Sequence, residues 1–252
     1  MTASVRDSSS GTVPRRLVLA YGATTYVAFL VVFATFVPFV TNAGVVRGID
    51  RGERSSVAAS LLIDVGLLAL FGISHSTMAR ARFKELLVRI IPPAAERSTY
   101  VLVATLTLGL LLWQWRPMPA IVWNVRSPAI RAALWASSGI GVLLVVYSSF
   151  LTDHFDLFGL RPVWLYARGR AYEPVPFKER SLYRFVRHPM MLGILLWFWS
   201  TPSLSVGHLL FSTGMSIYII VGVGLEERDL VRHLGEVYLQ YRQRVGRFIP
   251  WL

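Results

Sequence analysis

MMLGILLWFWSTPSLSVGHLLFSTGMSIYIIVGVGL, Met190–Leu225, decides the fold: 36 residues without a lysine, arginine, aspartate or glutamate. One straight helix of that length would be about 54 Å long, too long for a single crossing of a ~30 Å hydrocarbon layer. The run is broken at STPSLS, Ser200–Ser205. Its first leg, Met190–Thr201, has 12 residues. At about 18 Å that leg is too short to cross alone, whereas Val206–Leu225 is long enough. The simplest account is a helical hairpin that enters and leaves on one side. His188 and Glu226 then stand close together at its open ends.

Four more apolar runs lie upstream. Leu17–Val40 has 24 residues, Val57–Met78 has 22 interrupted only by Asp64 and His75, Ser98–Trp115 has 18 and Ala132–Thr152 has 21. Each crosses or nearly crosses a bilayer as a helix. Charged residues make up 16% of the chain, against about 25% in an average soluble domain. The expected fold is all-α: a polytopic membrane helical bundle of four full spans plus the C-terminal hairpin. Residues 1–16 read as a disordered tail, and residues 17–252 as one integral-membrane domain. Within it, 17–152 hold the four spans and 153–252 the cofactor-binding part. The first run is too long for a signal-peptide core and no small-residue cleavage pattern follows it, so it reads as a retained helix.

The chain has no cysteine, which excludes disulfides, thiolate metal sites and a cysteine nucleophile. Its net charge is +12. With the hairpin folded back, twenty of the 26 Lys and Arg fall in the N-terminal tail, 79–97, 153–188 and the segment after Leu225. Only six fall in 41–56 and 116–131. The positive-inside rule puts the twenty in the cytoplasm, and an integral inner (cytoplasmic) membrane location follows. Because the excess follows topology, it argues for membrane lipids as partners and against nucleic acid. Self-association into a homo-oligomer is compatible with the chain.

Two charged stretches flank the hairpin. SLYRFVRHP holds Arg187 and His188 in a bend, since Pro189 restricts the residue before it to extended geometry. EERDLVRHLGEVYLQYRQRVGRFIPWL follows, with Leu230, Leu234, Val237, Tyr238 and Tyr241 at helical spacing. This segment reads as an amphipathic helix stopped by Pro250, with Glu227, Leu234, Tyr238 and Tyr241 near one face. Trp113, Trp115, Trp123 and Trp135 read as an interfacial belt at the outer face.

RHPMMLG, a broken hairpin and then EERDL…LGEVYLQYRQRVGRFIPWL resembles the C-terminal signature of the isoprenylcysteine carboxyl methyltransferase and phospholipid methyltransferase superfamily. The matching positions are Arg187, His188, Pro189, Gly193, Glu226, Glu227, Leu230, Gly235, Tyr238, Tyr241, Val245 and Pro250. Met191 stands where RHP-x-Tyr members carry tyrosine, which argues against the prenylcysteine or lipid branch. HSTMARARFKELLVRIIPPAAERSTYVL (His75–Leu102) and DHFDLFGLRPVW (Asp153–Trp164) are similar to the NnrU-like branch, and within it to the methanethiol S-methyltransferases.

The resemblance implies S-adenosylmethionine as cofactor and S-adenosylhomocysteine as product. It implies a small volatile thiol, methanethiol, as acceptor, converted to dimethyl sulfide. The cofactor's groups then suggest partners at a cytoplasmic mouth: Arg187 for the carboxylate, Glu226 and Glu227 for the ammonium and hydroxyls. His188 adds a ring-nitrogen bond, and Tyr183, Tyr238 and Tyr241 an adenine slot. Three other readings share parts of this signature: a methyltransferase acting on a lipid or prenylated thiol, a steroid-reductase-like oxidoreductase, and an NnrU-type protein binding haem or a partner.

Methyl transfer to sulfur needs a thiolate, so a base or proton relay is expected. Asp64 and His75 lie eleven residues apart on one helix, nearly on the same face and about 16 Å apart along the axis. They are expected to line one cavity, with His75 as base and Asp64 supporting its polarity. Asp153 and His154 are the second candidate pair. No His pair at metal-ligand spacing occurs, so no metal site is expected.

Overall fold

A computed structural model of the protein describes residues 13–44, 47–176 and 179–250. Most of the expected N-terminal tail lies outside the described residues. The chain runs α1 (Arg15–Thr41), α2 (Val57–Met78), α3 (Ala81–Leu87), α4 (Glu96–Gln114), β1 (Ile121–Asn124), α5 (Pro128–Leu151), α6 (His154–Leu157) and α7 (Leu160–Ala167). It continues with α8 (Pro189–Trp199), β2 (Ser203–Ser205), α9 (Val206–Leu234) and α10 (Glu236–Arg244). Among the described residues five helices, α1, α2, α4 with its leading turn, α5 and α9, are long and apolar enough to cross a membrane; α8 is apolar but short. The molecule is an all-α polytopic membrane bundle.

The helices begin and end where local chemistry dictates. Ser56 and Ser205 cap α2 and α9, their side chains accepting from the N–H of Ala59 and His208. Pro128 and Pro189 open α5 and α8, where a missing N–H costs nothing. α1 ends at Asn42 in the left-handed region, φ 55°.

The hairpin forms, and its first leg solves the length problem with strand. α8 has 11 residues, about 16 Å. It crosses α5 with backbones nearly touching: a Cβ on Gly141 would lie 2.6 Å from the Gly193 carbonyl and from the Trp197 nitrogen. Only glycine permits that approach. Residues 200–205 then climb the remaining distance in extended form. Their backbone groups are satisfied as a membrane interior requires. β2 pairs antiparallel with β1, Ile121 opposite Ser205 and Asn124 opposite Ser203. The Phe198 carbonyl accepts from His208 Nε2 (2.9 Å) and Ser212 Oγ (3.1 Å). Strands of four and three residues carry no readable alternation, and β1 is exposed throughout, so the sequence pattern offers no sign of them.

At this far end the connections knit together. Trp115 Nε1 donates to the Ile49 carbonyl, Val206 N to Ala120, and Ser205 Oγ bonds Asp50. Trp115 is therefore buried, not an interfacial anchor; Trp113, Trp123 and Trp135 remain exposed. The main apolar core lies between this end and mid-bundle, built from Phe36, Phe39, Leu67, Leu111, Trp197, Phe198 and Phe211.

The opposite end differs from a single amphipathic helix. α9 continues unbroken to Leu234, nine residues past the apolar run, and so carries Leu230 and Leu234. Gly235, at φ 56°, turns the chain into α10, which holds Tyr238 and Tyr241 and ends at Arg244, before Pro250. Val186 and Gly246 then form a parallel bridge, laying the C-terminal segment beside the entrance to α8.

Candidate functional site

Two constructions stand at this second end. One is a buried ionic clasp. Arg187 Nε donates to Glu227 Oε1 at 2.8 Å, and Arg247 Nη2 to Glu227 Oε2 at 2.7 Å. His188 Nε2 lies 3.2 Å from Glu227 Oε1. Arg187 Nη1 also donates to the carbonyls of Arg242 and Val245. Backbone bonds Arg187 N to Gly246 O and His188 N to Arg247 O complete the grip. The side chains of Glu227 and Arg187 are 3% and 9% exposed. Burial holds the His188 imidazole below its usual range, against the pull of the Glu227 carboxylate.

The other construction is a chamber of about 550 Å³ between α1, α2, α4, the start of α8 and α9. Its inner wall is apolar, with Phe29, Phe71, Val101, Leu108, Met190, Met191, Ile219 and Val223. Its rim is charged, with Arg80, Lys84, Arg97, Glu226, Asp229 and His233. A cavity of about 480 Å³, with Glu96, Asp156 and Arg170 in its lining, adjoins it and shares Lys84 and Arg97.

His75 belongs to the chamber. Its Nε2 is 2.5 Å from Tyr100 Oη, while Nδ1 is buried without a hydrogen-bond partner among the described residues. Its ring stacks on Phe71 and meets Tyr218 edge-on. The Arg97 guanidinium lies 4.8 Å over the Tyr100 ring, tethered by Nε to the Leu157 carbonyl at 2.7 Å. An imidazole in the chamber lining with one nitrogen fixed by a phenol and the other without a partner among the described residues is suited to exchanging a proton.

Of the residues singled out in the sequence, His75 and Glu226 line the chamber, and the others stand elsewhere. Asp64 does not share the cavity with His75. It is fully buried near the far end, where Oδ1 accepts the Arg116 N–H at 2.9 Å. The separation along α2 that allows a common face also carries it out of the chamber's reach. Asp153 sits at φ 69° and caps α6 through the Asp156 N–H. His154 has both nitrogens engaged, Nε2 with Tyr26 Oη (2.7 Å) and Nδ1 with Ser149 Oγ (2.8 Å). Burial lowers its pKa, opposed by the Asp153 charge.

The three tyrosines proposed as an adenine slot also lie outside the chamber's lining. Tyr238 and Tyr241 are buried in an apolar cluster with Val245. The Tyr241 hydroxyl donates to the Tyr183 carbonyl at 2.6 Å. Burial pushes the hydroxyls of Tyr183 and Tyr238 up to about 12. Arg187, His188 and Glu227 are engaged in the clasp rather than turned to the chamber.

Tyr100, Tyr218 and Arg97 were not singled out in the sequence. Arg97 and Tyr100 carry a faint signal: they are three residues apart, one helical turn, at the start of α4 just after Pro92–Pro93. S-Adenosylmethionine, a zwitterion with a cationic sulfur and a flat base, suits a chamber with an apolar, aromatic interior and a rim of both signs.

The family model described as NnrU protein matches residues 63–234. Methanethiol S-methyltransferase of Mycobacterium tuberculosis is 46% identical over 237 residues, 94% of this chain and 97% of that protein. Methanethiol S-methyltransferase 1 of Bradyrhizobium diazoefficiens is 45% identical over 231 residues, 92% and 81% of the two chains. Methanethiol S-methyltransferase of Crocosphaera subtropica is 42% identical over 244 residues, 97% and 96%. No solved structure matches.

Proposed function

The chain belongs to the NnrU family, and on that premise we propose that it is a membrane enzyme that S-methylates methanethiol to dimethyl sulfide with S-adenosylmethionine. The acceptor comes from relatives named for that reaction and similar over nearly the whole chain. The observation that carries its placement is His75, which lines a chamber whose inner wall is apolar and whose Nδ1 is buried without a hydrogen-bond partner among the described residues.

When bound, S-adenosylmethionine supplies a methyl carbon on a positively charged sulfur and leaves as S-adenosylhomocysteine. The protein's part is to raise the nucleophile and keep water away. An alkyl thiol is mostly protonated at neutral pH; a free cysteine already titrates near about 8.5. His75 Nδ1 takes the thiol proton, with Nε2–H donated to the Tyr100 oxygen, and the charge so formed is held beside aromatic faces. Phe29, Phe71, Met190 and Met191 exclude water, which strengthens attraction between the thiolate and a cationic sulfur. Asp64, Asp153 and His154 serve the scaffold in this reading. The charged rim faces the cytoplasm, as the positive-inside rule directs.

The test offers purified protein labelled S-adenosylmethionine with methanethiol, hydrogen sulfide, a prenylcysteine and a phospholipid in parallel. Label in headspace dimethyl sulfide is the expected result. Label only in the prenylcysteine or the lipid would replace the acceptor, and a Soret band without methyl transfer would replace the enzyme class.

A further inference from the structure

We infer that Arg97 and Glu226 form a clamp for an α-amino-acid group, Arg97 taking the carboxylate and Glu226 the ammonium; this rests on the methyl-donor reading above. Both residues line the rim of the same chamber. Among the described residues neither Arg97 Nη atom has a hydrogen-bond or ion-pair partner, while Nε is tied to the Leu157 carbonyl. The guanidinium is also seated over the Tyr100 ring. One nitrogen and the ring face are thus used for positioning, leaving a planar pair of donors held in place. That is the arrangement a carboxylate accepts in a bidentate fashion.

The other cations of the rim and the clasp, and Glu227, are already committed or untethered. Arg187 is committed to Glu227, and Arg80 to Asp229 at 3.3 Å. Lys84 lines the rim from the short helix α3 without an anchoring contact among the described residues. Glu227 is committed to three cationic or imidazole groups, whereas Glu226 meets only His188 Nδ1, at 3.9 Å. Glu226 is half exposed into the mouth. A cation without an ion pair among the described residues and an anion that meets only the His188 ring, across one rim, match a ligand end that carries both signs. The inner wall of the chamber has neither, so this fixes which end of the donor points outward: the amino acid sits at the rim and the sulfonium beneath it, toward His75.

The test compares S-adenosylhomocysteine with its decarboxylated analogue by calorimetry on the purified full chain. The wild type is expected to prefer the carboxylate form by about 10- to 100-fold, the scale of a charge-assisted bond. In Arg97→Met that preference should fall to within about threefold, because the carboxylate form weakens while the analogue's own affinity holds. Retained affinity for the analogue shows that the variant is folded. Arg97→Lys, with a point charge in place of the fork, should recover part of the preference, and Lys84→Met should keep it. Full discrimination in Arg97→Met, or its loss in Lys84→Met instead, overturns the clamp. If the wild type binds neither ligand, the donor reading fails and the clamp with it.

Discussion

Replacing Glu227 with glutamine keeps the shape of the side chain and removes the charge that three partners share. Arg187, 9% exposed, would keep its two carbonyl acceptors but lose its counter-ion. Breaking a buried pair by removing one partner costs about 3–5 kcal/mol. The amide oxygen still accepts one bond, which places the cost at the lower end, about 3 kcal/mol. For a chain of this size each kcal/mol moves the thermal midpoint by about 2–4 °C, so a fall of about 6–12 °C is expected. Tryptophan fluorescence of detergent-solubilised protein on heating reads it. The double variant Arg187→Met/Glu227→Leu leaves no buried charge alone and should recover most of the loss. A single variant that melts within about 2 °C of wild type refutes the clasp as a stabilising element. If Arg187 gripped the donor directly, Arg187→Met would lose donor affinity with its midpoint unchanged.

His75→Ala should lower turnover by about 10²–10⁴-fold while S-adenosylhomocysteine binds as before; normal turnover at every pH removes His75 as the base. Gly141→Val should abolish stable expression or lower the midpoint sharply, since its Cβ alone would lie 2.6 Å from two backbone atoms of α8; a neutral result contradicts the close helix crossing. Stability should also fall in mild acid. Burial lowers the pKa of His188 and of His154 in the folded chain, while the unfolded chain protonates them at about 6.5. The unfolded state therefore binds more protons below that value, and the midpoint should drop as pH falls from 7.5 to 5.5. A midpoint that is flat or rises over that interval contradicts the lowered pKa of these imidazoles.

The spans were legible because each is a charge-poor run matched to bilayer thickness, and the hairpin because Met190–Leu225 is too long for one crossing and has one interruption. What was not legible depends on contacts between distant segments. β1 and β2 are too short to show a period, and their pairing joins residue 121 to residue 205. Trp115 reads like its neighbour Trp113, yet the Ile49 carbonyl draws it inside. Arg97 reads as one of many loop cations, and only the tether to Leu157 and the tyrosine beneath it set it apart.

The two adjacent glutamates show where pattern reading reaches its limit. Consecutive residues on a helix point about 100° apart, so Glu226 and Glu227 need not address the same partner. The structure divides them: Glu227 turns into the clasp and Glu226 toward the rim. The same division recurs after Pro189, where Arg187 and His188 enter the clasp while Met190 and Met191 line the chamber. Arg187, His188 and Glu227 thus each lie within a few positions of a chamber residue on the same segment. A grip between residues 187, 227 and 247 sets the height and rotation of both hairpin legs at the mouth. Loosening it shifts Glu226 and the two methionines together, so Glu227→Gln should weaken S-adenosylhomocysteine binding as well as stability. The double variant that restores the melting point should restore binding with it; recovery of the first without the second would assign Glu227 to the ligand after all.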